Sequence, residues 1–456
     1  MTTTDPDAPS ITSVVAELAA NVRYEDLPAD VVLLAKECLL DWLGVTIAGA
    51  SEPLSRILQD EMLEQGGNAQ ATIVGTGLRG TIQQAALVNG AASHALDYDD
   101  VHQAMSGHPT VPVAPGLLAL AEWRRSSPRA FIAAFVAGFE TECRIGLLVN
   151  PGHYAEGWHA TGTLGTFGSA AACAHLQGLD AEAMRTVIGI AAAQAAGLKS
   201  MFGTMCKPFH AGKAAANGLM AATLAARGFT SNPESLETHQ GFAATHGPTF
   251  DPARAMAGPA NGYFIRGVLF KYHAACYGTH SSIESLLRIK ETHRVTPEQV
   301  SAVHLRVPTG ALSMCNIQEP TTALEGKFSL RFTSALALGH GDTSELAFTD
   351  ERTADPLLVS LRDRVQVEGD AVAGGTQVTV TLTDGRVLRE AVDVNTPATD
   401  LELQWERLAA KFRGLATPVI GAAATGALVD AVRGLEELPS MDALVRLSVP
   451  ALAGAR

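Results

Sequence analysis

Residues 163–176 read TLGTFGSAAACAHL and residues 213–227 read KAAANGLMAATLAAR. Both stretches are unusually dense in alanine and glycine. Small side chains allow the axes of two packed helices to approach each other closely. The two stretches therefore predict a tightly packed helical body.

Helical character extends over residues 1 to about 265. Apolar residues recur there at intervals of three and four, for example in residues 11–21, 29–48 and 129–148. Strand patterns are scarce in this part of the chain. Because helical spacing returns after residue 400, we predict one large all-helical domain made of residues 1–266 and 400–456.

The pattern changes near residue 266. Residues 300–308 (VSAVHLRVP) alternate like a half-buried strand, and residues 376–391 give two alternating runs around Asp384-Gly385, which predicts a hairpin. Helical segments surround these strands. Residues 267–399 are therefore predicted to form a smaller α+β domain, and the fold class is mainly α.

Composition excludes several classes of protein. The 456 residues are 47% apolar and 18% charged, so a large core can be buried. A net charge of −14 leaves no basic surface for nucleic acid or for an anionic membrane. The six cysteines form no CxxC pair, which favours a reducing compartment. With no secretory signal and no apolar run of about 20 residues, the sequence predicts a cytoplasmic protein.

The densest polar cluster is HALDYDDVHQAMSGH at residues 94–108, with three histidines and three aspartates. If a helix ends near residue 98, Asp97 lies at its end while His102 and His108 lie on the following loop. A carboxylate and an imidazole then face one small ligand. A hydrated loop with capping aspartates fits the spacing equally well. A divalent metal site is the other alternative, but the spacing matches no established metal pattern, so no metal is predicted.

Two further clusters lie at predicted helix starts. GWHATGTLG at residues 157–165 places His159 before a segment whose backbone amides can hold a carboxylate, although a capping or buried imidazole fits as well. CKPFHAGK at residues 206–213 contributes Lys207, a compact positive charge in a chain that otherwise prefers arginine. These residues extend the predicted site beyond the first cluster.

The last cluster, KYHAACYGTH at residues 271–280, lies at the junction of the two predicted domains. We predict that Lys271, Cys276 and His280 contact the substrate together with His102, and structural roles are the alternative. The chain contains no activated Ser or Cys motif, no GxGxxG and no P-loop. Acid–base chemistry on a small anion, without a cofactor, is the function that remains.

The four clusters, in this order, resemble the MmgE/PrpD family over roughly residues 10–430. This family includes 2-methylcitrate dehydratase, cis-aconitate decarboxylase and iminodisuccinate epimerase. The resemblance implies a large all-helical domain, a smaller α+β lid and a homodimer. It also implies proton transfer next to a carboxylate of a small di- or tricarboxylate, with no metal or organic cofactor.

Four residues match polar site positions of cis-aconitate decarboxylase: Asp97, His108, His159 and Lys207. The resemblance implies that His159 or His108 moves the proton and that Lys207 holds a carboxylate. Asp97 then orients an imidazole or acts as an acid.

The resemblance leaves the reaction open. Three further polar positions of the decarboxylase are not matched: its threonine is Val101 here, its lid histidine is Cys276, and its lid tyrosine falls near Leu312 or Met314. We therefore predict dehydration of the 2-methylcitrate dehydratase type first. Epimerisation is an alternative because GWHATGTLG and FGTMCKPFHAG resemble the epimerase branch, and decarboxylation is another.

Overall fold

The computed structural model describes residues 10–370 and 375–450. Asp5 and Asp7, the two acids whose position at the start of the sequence argues against a secretory signal, lie outside these ranges. Among the described helices, none combines the length and the apolarity that crossing a membrane requires.

Contacts divide the chain into two compact units. The first extends to Phe270 and resumes at Ala398, and the second is Lys271–Pro397. The sequence predicted that the second domain begins at residue 267 and ends at residue 399.

The first unit is built mainly of helices, as predicted. Its elements in chain order are α1 (Ile11–Ala20), α2 (Ala29–Gly49), α3 (Pro53–Gln65), β1 (Ala71–Thr72), β2 (Arg79–Gly80), α4 (Ile82–His94), α5 (Thr110–Arg124), α6 (Pro128–Val149), α7 (Gly152–Ala155), α8 (Ala160–Leu176), α9 (Ala181–Ala192), α10 (Cys206–Ala225), α11 (Phe242–Thr245) and α12 (Pro252–Ala257).

The second unit follows, and the chain then returns to the first. The second unit holds α13 (His280–His293), β3 (Val300–Pro308), α14 (Thr309–Met314), α15 (Ala323–Lys327), α16 (Leu330–Gly339), α17 (Asp350–Thr353), α18 (Pro356–Arg362), β4 (Val365–Asp370), β5 (Gln377–Leu382) and β6 (Val387–Glu390). The returning segment forms α19 (Leu401–Ile420), α20 (Ala422–Arg433) and α21 (Met441–Leu447). Helix α19 packs against α2, where the Lys411 ammonium lies 2.6 Å from the Asp41 carboxylate.

Two details of the first unit differ from the prediction. The predicted all-helical domain contains a small antiparallel ribbon, because β1 pairs with β2 over two residues each, too short a run to show alternation. Pro112 and Pro115 precede the apolar run GLLALAEWRR, a pattern that predicts a helix start near Pro115 with proline in the first turn, but helix α5 begins at Thr110. Pro112 lies in the first turn, where a missing N–H loses no hydrogen bond, and the helix continues through Pro115.

The sheet of the second unit confirms the strand predictions. Its order is β4-β3-β5-β6, with β3 parallel to β4 and antiparallel to β5. Strand β3 covers the predicted residues, and β5 and β6 form the predicted hairpin, in which Gly385 has a φ of 87°. Val303 is the central partner, opposite Val365 on one side and Val380 on the other.

Close contacts between glycines hold α4 against α10. A methyl group built on Gly90 would lie 2.7 Å from the Cα of Gly212, and one built on Gly212 would collide with the Leu87 carbonyl oxygen. Glycine at both positions thus lets the two helices pack backbone to backbone. This packing matters for the site because α4 ends at His94 and α10 carries Lys207 in its first turn.

The first prediction concerns this contact. We expect Gly212→Ala to lower the free energy of unfolding by roughly 1–3 kcal/mol, because the added methyl forces the two backbones apart. Gly426→Ala is the control, since that helical glycine has no atom within 4 Å of a built methyl group. The control should raise stability by about 0.5–1 kcal/mol. Chemical denaturation measures both, and equal effects of the two substitutions would contradict the packing argument.

A buried carboxyl group anchors the loop between α4 and α5. The side chain of Asp100 is 1% exposed and accepts the Thr110 hydroxyl at 2.5 Å. Burial, with the neighbouring Asp41 carboxylate second, raises the pKa of Asp100 to about 8. The Glu142 carboxyl is also fully buried, and its pKa lies well above the usual value because of burial and then Asp100. Asp100 therefore keeps its proton at neutral pH.

The pH dependence of stability follows from Asp100. The folded state keeps a proton on this residue up to about pH 8, whereas the unfolded chain releases it near 3.8. The folded state thus binds the extra proton between these values, so stability falls as pH rises through the window and the loss is complete above pH 8. In Asp100→Asn, the thermal midpoint should fall less between pH 7 and 9 than in the wild type. Asp60→Asn, at an exposed position, should keep the wild-type slope.

Candidate active site

The loop between α4 and α5 carries three of the eight predicted site residues, Asp97, His102 and His108. Val101 pairs with Leu269 through two backbone hydrogen bonds of 2.8 and 3.0 Å, and the His102 N–H donates to Gly107 O at 2.9 Å. Asp97 has a φ of 51°, in the left-handed region, which aspartate tolerates better than most residues. These constraints fold the loop back so that His94 and His108 approach the same carboxylate.

That carboxylate belongs to Asp99, which is 1% exposed and lies between two imidazoles. His94 Nδ1 is 3.0 Å from both carboxylate oxygens, and His108 Nδ1 is 2.9 Å from Oδ2. Burial acts to raise the pKa of Asp99, but the charges of His108 and His94 outweigh it and hold the pKa well below its usual range. Asp99 is therefore ionised at neutral pH.

An ionised carboxylate only accepts hydrogen bonds, which decides where the proton of the His94 imidazole lies. The proton on His94 Nδ1 faces Asp99, so Nε2 of that ring carries the lone pair, and His108 Nδ1 lies beside the same carboxylate. Burial lowers the pKa of His94 to about 4 despite the attraction of Asp99. The second imidazole, His108, is the more accessible ring, with 12% of its side chain exposed.

An ion pair lies at the accessible side of the cluster. Lys207 Nζ is 2.8 Å from Asp97 Oδ1, and the same oxygen is 3.6 Å from His108 Nε2. Asp97 is the most exposed member, at 32% of its side chain, while Lys207 is 15% exposed. The Phe202 ring covers Lys207, with its centroid 5.7 Å from Nζ. A cation, a carboxylate and an imidazole nitrogen thus meet at one partly open point.

His159 closes the cluster from the start of α8. Its ring is stacked on His94 at 5.8 Å, and its Nδ1 is 3.0 Å from His210 Nδ1. Burial, then the charges of His94, Lys207 and further neighbours, lower the pKa of His159 far below its usual range. The pKa of His210 is lowered by burial and then by Lys207. His159 is therefore a neutral donor and acceptor of hydrogen bonds.

The structure brings Asp97, His108, His159 and Lys207 together, the four residues taken from the resemblance. It adds His94, Asp99 and His210, which the sequence did not single out. His94 and Asp99 lie within the quoted loop motif, but spacing does not tell which aspartate faces the imidazoles. His210 carries a better signal, since it lies three residues after Lys207 on a helix and so shares its face.

His102 lies apart from this cluster. Its Nε2 is 2.8 Å from Phe264 O, and its Nδ1 accepts the Ala104 N–H at 3.1 Å. Burial lowers the pKa of this imidazole to about 4. Both ring nitrogens are thus engaged with the backbone. The sequence predicted that His102 contacts the substrate, but the structure does not bring this residue to the cluster.

Lys271, Cys276 and His280 belong to the second unit. Lys271 and His280 are each 2% exposed, and His280 Nε2 is 3.1 Å from Ala275 O. Burial, then the charges of His273 and Lys271, lower the pKa of His280 well below its usual value. Substrate contact by these three residues stays a prediction.

The cluster also contains a set of atoms that suits a divalent cation. His94, Asp97, Asp99 and His108 each offer one ligand atom, and these atoms lie within 4.8 Å of one another. In the structure, Asp99 instead contacts both imidazoles, and the Lys207 ammonium lies against Asp97. A cation at this point would have to compete with that ammonium. The absence of a metal therefore stays a prediction, which a chelator tests.

A cavity of about 480 Å³ lies elsewhere, between α1 and α6. Its lining includes Glu140, Arg144 and Tyr263, and none of the cluster residues. We assign the candidate site to the cluster because its ionised, neutral and cationic groups converge on one point.

Curated relatives resemble the chain over nearly its whole length. A cis-aconitate decarboxylase from Aspergillus terreus is 26% identical, covering 96% of this chain and 95% of its own. The human cis-aconitate decarboxylase is also 26% identical, with 96% and 94% covered. A mitochondrial 2-methylcitrate dehydratase from Yarrowia lipolytica is 25% identical, with 86% and 81% covered.

Two family domains match in the order that the motifs predict. Residues 13–255 match the MmgE/PrpD N-terminal domain, and residues 273–437 match the MmgE/PrpD C-terminal domain. The first match contains every residue of the cluster. With this geometry and these matches, the chain is an enzyme of the MmgE/PrpD family.

Proposed function

We propose that this enzyme is a cofactor-independent lyase that removes a proton next to a carboxylate of a small hydroxylated di- or tricarboxylate and expels water. The relatives support this substrate class, because their names refer to cis-aconitate and 2-methylcitrate. The cluster supports the chemistry, since it combines a basic nitrogen, a cation and a carboxylate. The proposed reaction is of the 2-methylcitrate dehydratase type.

The observation that carries the proposal is the contact of His108 with Asp99. A carbon acid next to a carboxylate is weak, so its base must be held in place and its conjugate acid stabilised. The buried Asp99 carboxylate, 2.9 Å from His108 Nδ1, does both. It leaves Nε2 as the basic atom on the accessible side. His108 is therefore our candidate for the base.

The remaining groups complete a dehydration. The C–H bond breaks, its proton passes to His108 Nε2, and Lys207 stabilises the negative charge that develops on the substrate carboxylate. The C–O bond to the hydroxyl group breaks on the neighbouring carbon, and the hydroxide leaves as water with a proton from Asp97. In this scheme Asp97 enters the step protonated. Movement of Lys207 toward the substrate favours this protonation, because it takes the positive charge away from Asp97. His159, kept neutral, donates a hydrogen bond to the substrate.

Decarboxylation is the second candidate, favoured by the names of the decarboxylase relatives. The same groups would then act in another order. The C–C bond to a carboxylate breaks with loss of carbon dioxide, and the protonated His108 delivers its proton to the product carbon. In both reactions the His108 imidazole exchanges a proton with one carbon of the substrate, so only the products distinguish them.

The test is proton NMR of the enzyme in deuterated buffer with citrate, 2-methylcitrate, cis-aconitate and related acids. New vinylic signals from a hydroxy acid are the expected result. Carbon dioxide with a methylene product would indicate decarboxylation, and deuterium at the α-carbon without net loss would indicate epimerisation.

Two controls accompany this experiment. His108→Asn should abolish the reaction, because an amide does not act as a base at neutral pH. Addition of a chelator should leave the rate unchanged. If none of the acids gave a product, the proposed substrate class would be contradicted. Loss of the reaction after addition of the chelator would contradict the cofactor-free mechanism.

A further prediction concerns Asp99, which positions His108 without reaching the substrate. Asp99→Asn removes the charge that fixes the ring, so kcat should fall roughly 10²- to 10⁴-fold while KM changes much less. Asp100→Asn is the matched control, because this neighbour is equally buried but contacts Thr110. The control should retain kcat within about tenfold. Equal losses in the two variants would show a general effect on the loop and contradict the assigned role.

Several predictions from the sequence remain part of this proposal. Substrate contacts by His102, Lys271, Cys276 and His280, the homodimer and the cytoplasmic location remain open to test. Sedimentation velocity addresses the dimer directly.

A further inference from the structure

Two cysteines of the second unit, Cys276 and Cys315, lie outside the acid–base cluster of the first unit. Cys276 is partly exposed and precedes the turn that leads into α13, and Cys315 is fully buried directly after α14. They are 39 residues apart in the chain. Both are present as thiols.

Backbone hydrogen bonds tie both cysteines to the same short stretch of chain. The Cys276 N–H donates to Lys327 O at 2.9 Å, and the Leu330 N–H donates to Cys315 O at 2.9 Å. Asn316, next to Cys315, forms a bridge with Ser329. Residues 327–330 thus lie between the two cysteines and set their positions.

The turn after Cys276 adds a direct contact. Gly278 lies so close to Cys315 that a methyl group built on it would be 3.0 Å from Sγ. A side chain at this position would push the buried sulfur away. The absence of a side chain therefore lets Cys315 approach the turn that begins at Cys276.

The Cys315 thiol donates to the Ala311 carbonyl at 3.3 Å, and the Cys276 sulfur is a second neighbour of this thiol. The bond to Cys276, followed by burial, raises the pKa of Cys315 above its usual value. Cys276 is the more exposed of the two, so an oxidant reaches its sulfur first.

We propose that Cys276 and Cys315 are an oxidation site at which hydrogen peroxide joins the two thiols into an intramolecular disulfide. The partly exposed Cys276 thiolate attacks one peroxide oxygen, the O–O bond breaks, and hydroxide leaves to give a sulfenic acid. The Cys315 sulfur then attacks the Cys276 sulfur, the S–O bond breaks, and water leaves with the Cys315 proton. Two thiols lose two electrons in total, and one peroxide becomes two waters.

The other cysteines provide internal comparisons. Cys206 is exposed, so its oxidation reports that the oxidant has reacted with the protein. Cys173 is fully buried, and burial raises the pKa of its thiol to about 12. Peroxide should therefore oxidise Cys206 to a sulfenic or sulfinic acid and leave Cys173 reduced.

The test is mass spectrometry of the full chain after treatment with hydrogen peroxide, digested with trypsin without reductant. Cys276 lies in the tryptic peptide 272–288 and Cys315 in the peptide 307–327. We expect these peptides to be joined, with the loss of two hydrogen atoms, and to separate when dithiothreitol is added. The oxidised chain should migrate as a monomer on a non-reducing gel, because the bond is intramolecular.

Cys315→Ala is the variant for comparison, since Cys315 has no place in the acid–base site. It should leave Cys276 as a sulfenic acid that dimedone traps, with the joined peptide lost. The peroxide concentration is raised until Cys206 is oxidised, so that every outcome is informative. The proposal fails if Cys206 is oxidised while Cys276 and Cys315 remain thiols. It also fails if Cys276 is oxidised in the wild type without joining Cys315.

Discussion

The Asp99 carboxylate, buried between two imidazoles, is the constraint on which the rest of the site depends. A buried charge is costly unless it is paired, and Asp99 is paired with His94 and His108 at 2.9–3.0 Å. His94 ends α4 and His108 lies just before α5, so the carboxylate ties two helix ends together. The glycine contacts of α4 with α10 then bring Lys207 to the same point.

Burial divides the cluster into neutral and charged members. It lowers the pKa of His94 to about 4 and that of His159 further, so these rings add no positive charge. The cationic charge comes from Lys207, whose compact ammonium lies between the Phe202 ring and the Asp97 carboxylate. With His94 and His159 neutral, the Lys207 ammonium is left to attract an anionic substrate, which suits removal of a proton next to a carboxylate.

Much of the fold could be predicted because it depends on local patterns. Strand β3 and the hairpin at Gly385 follow from the alternation of apolar residues and from turn chemistry. The predicted start of α5 was wrong because prolines are tolerated in the first helical turn. The site could be predicted only where a motif carried it. Asp99 and Asp100 are neighbours with opposite protonation, since one faces two imidazoles and the other faces Thr110 and a second acid. The spacing of residues in the sequence does not predict this difference in protonation.

The ion pair of Lys207 with Asp97 links substrate binding to proton transfer in the proposed reaction. A carboxylate of the substrate competes with Asp97 for the ammonium, which now lies 2.8 Å from Oδ1. As Lys207 turns toward the substrate, Asp97 loses the positive charge that favours its ionised form, and it gains affinity for a proton. The same oxygen is 3.6 Å from His108 Nε2, so acid and base lie side by side. Binding of the anion thereby prepares the acid that the expulsion of water requires.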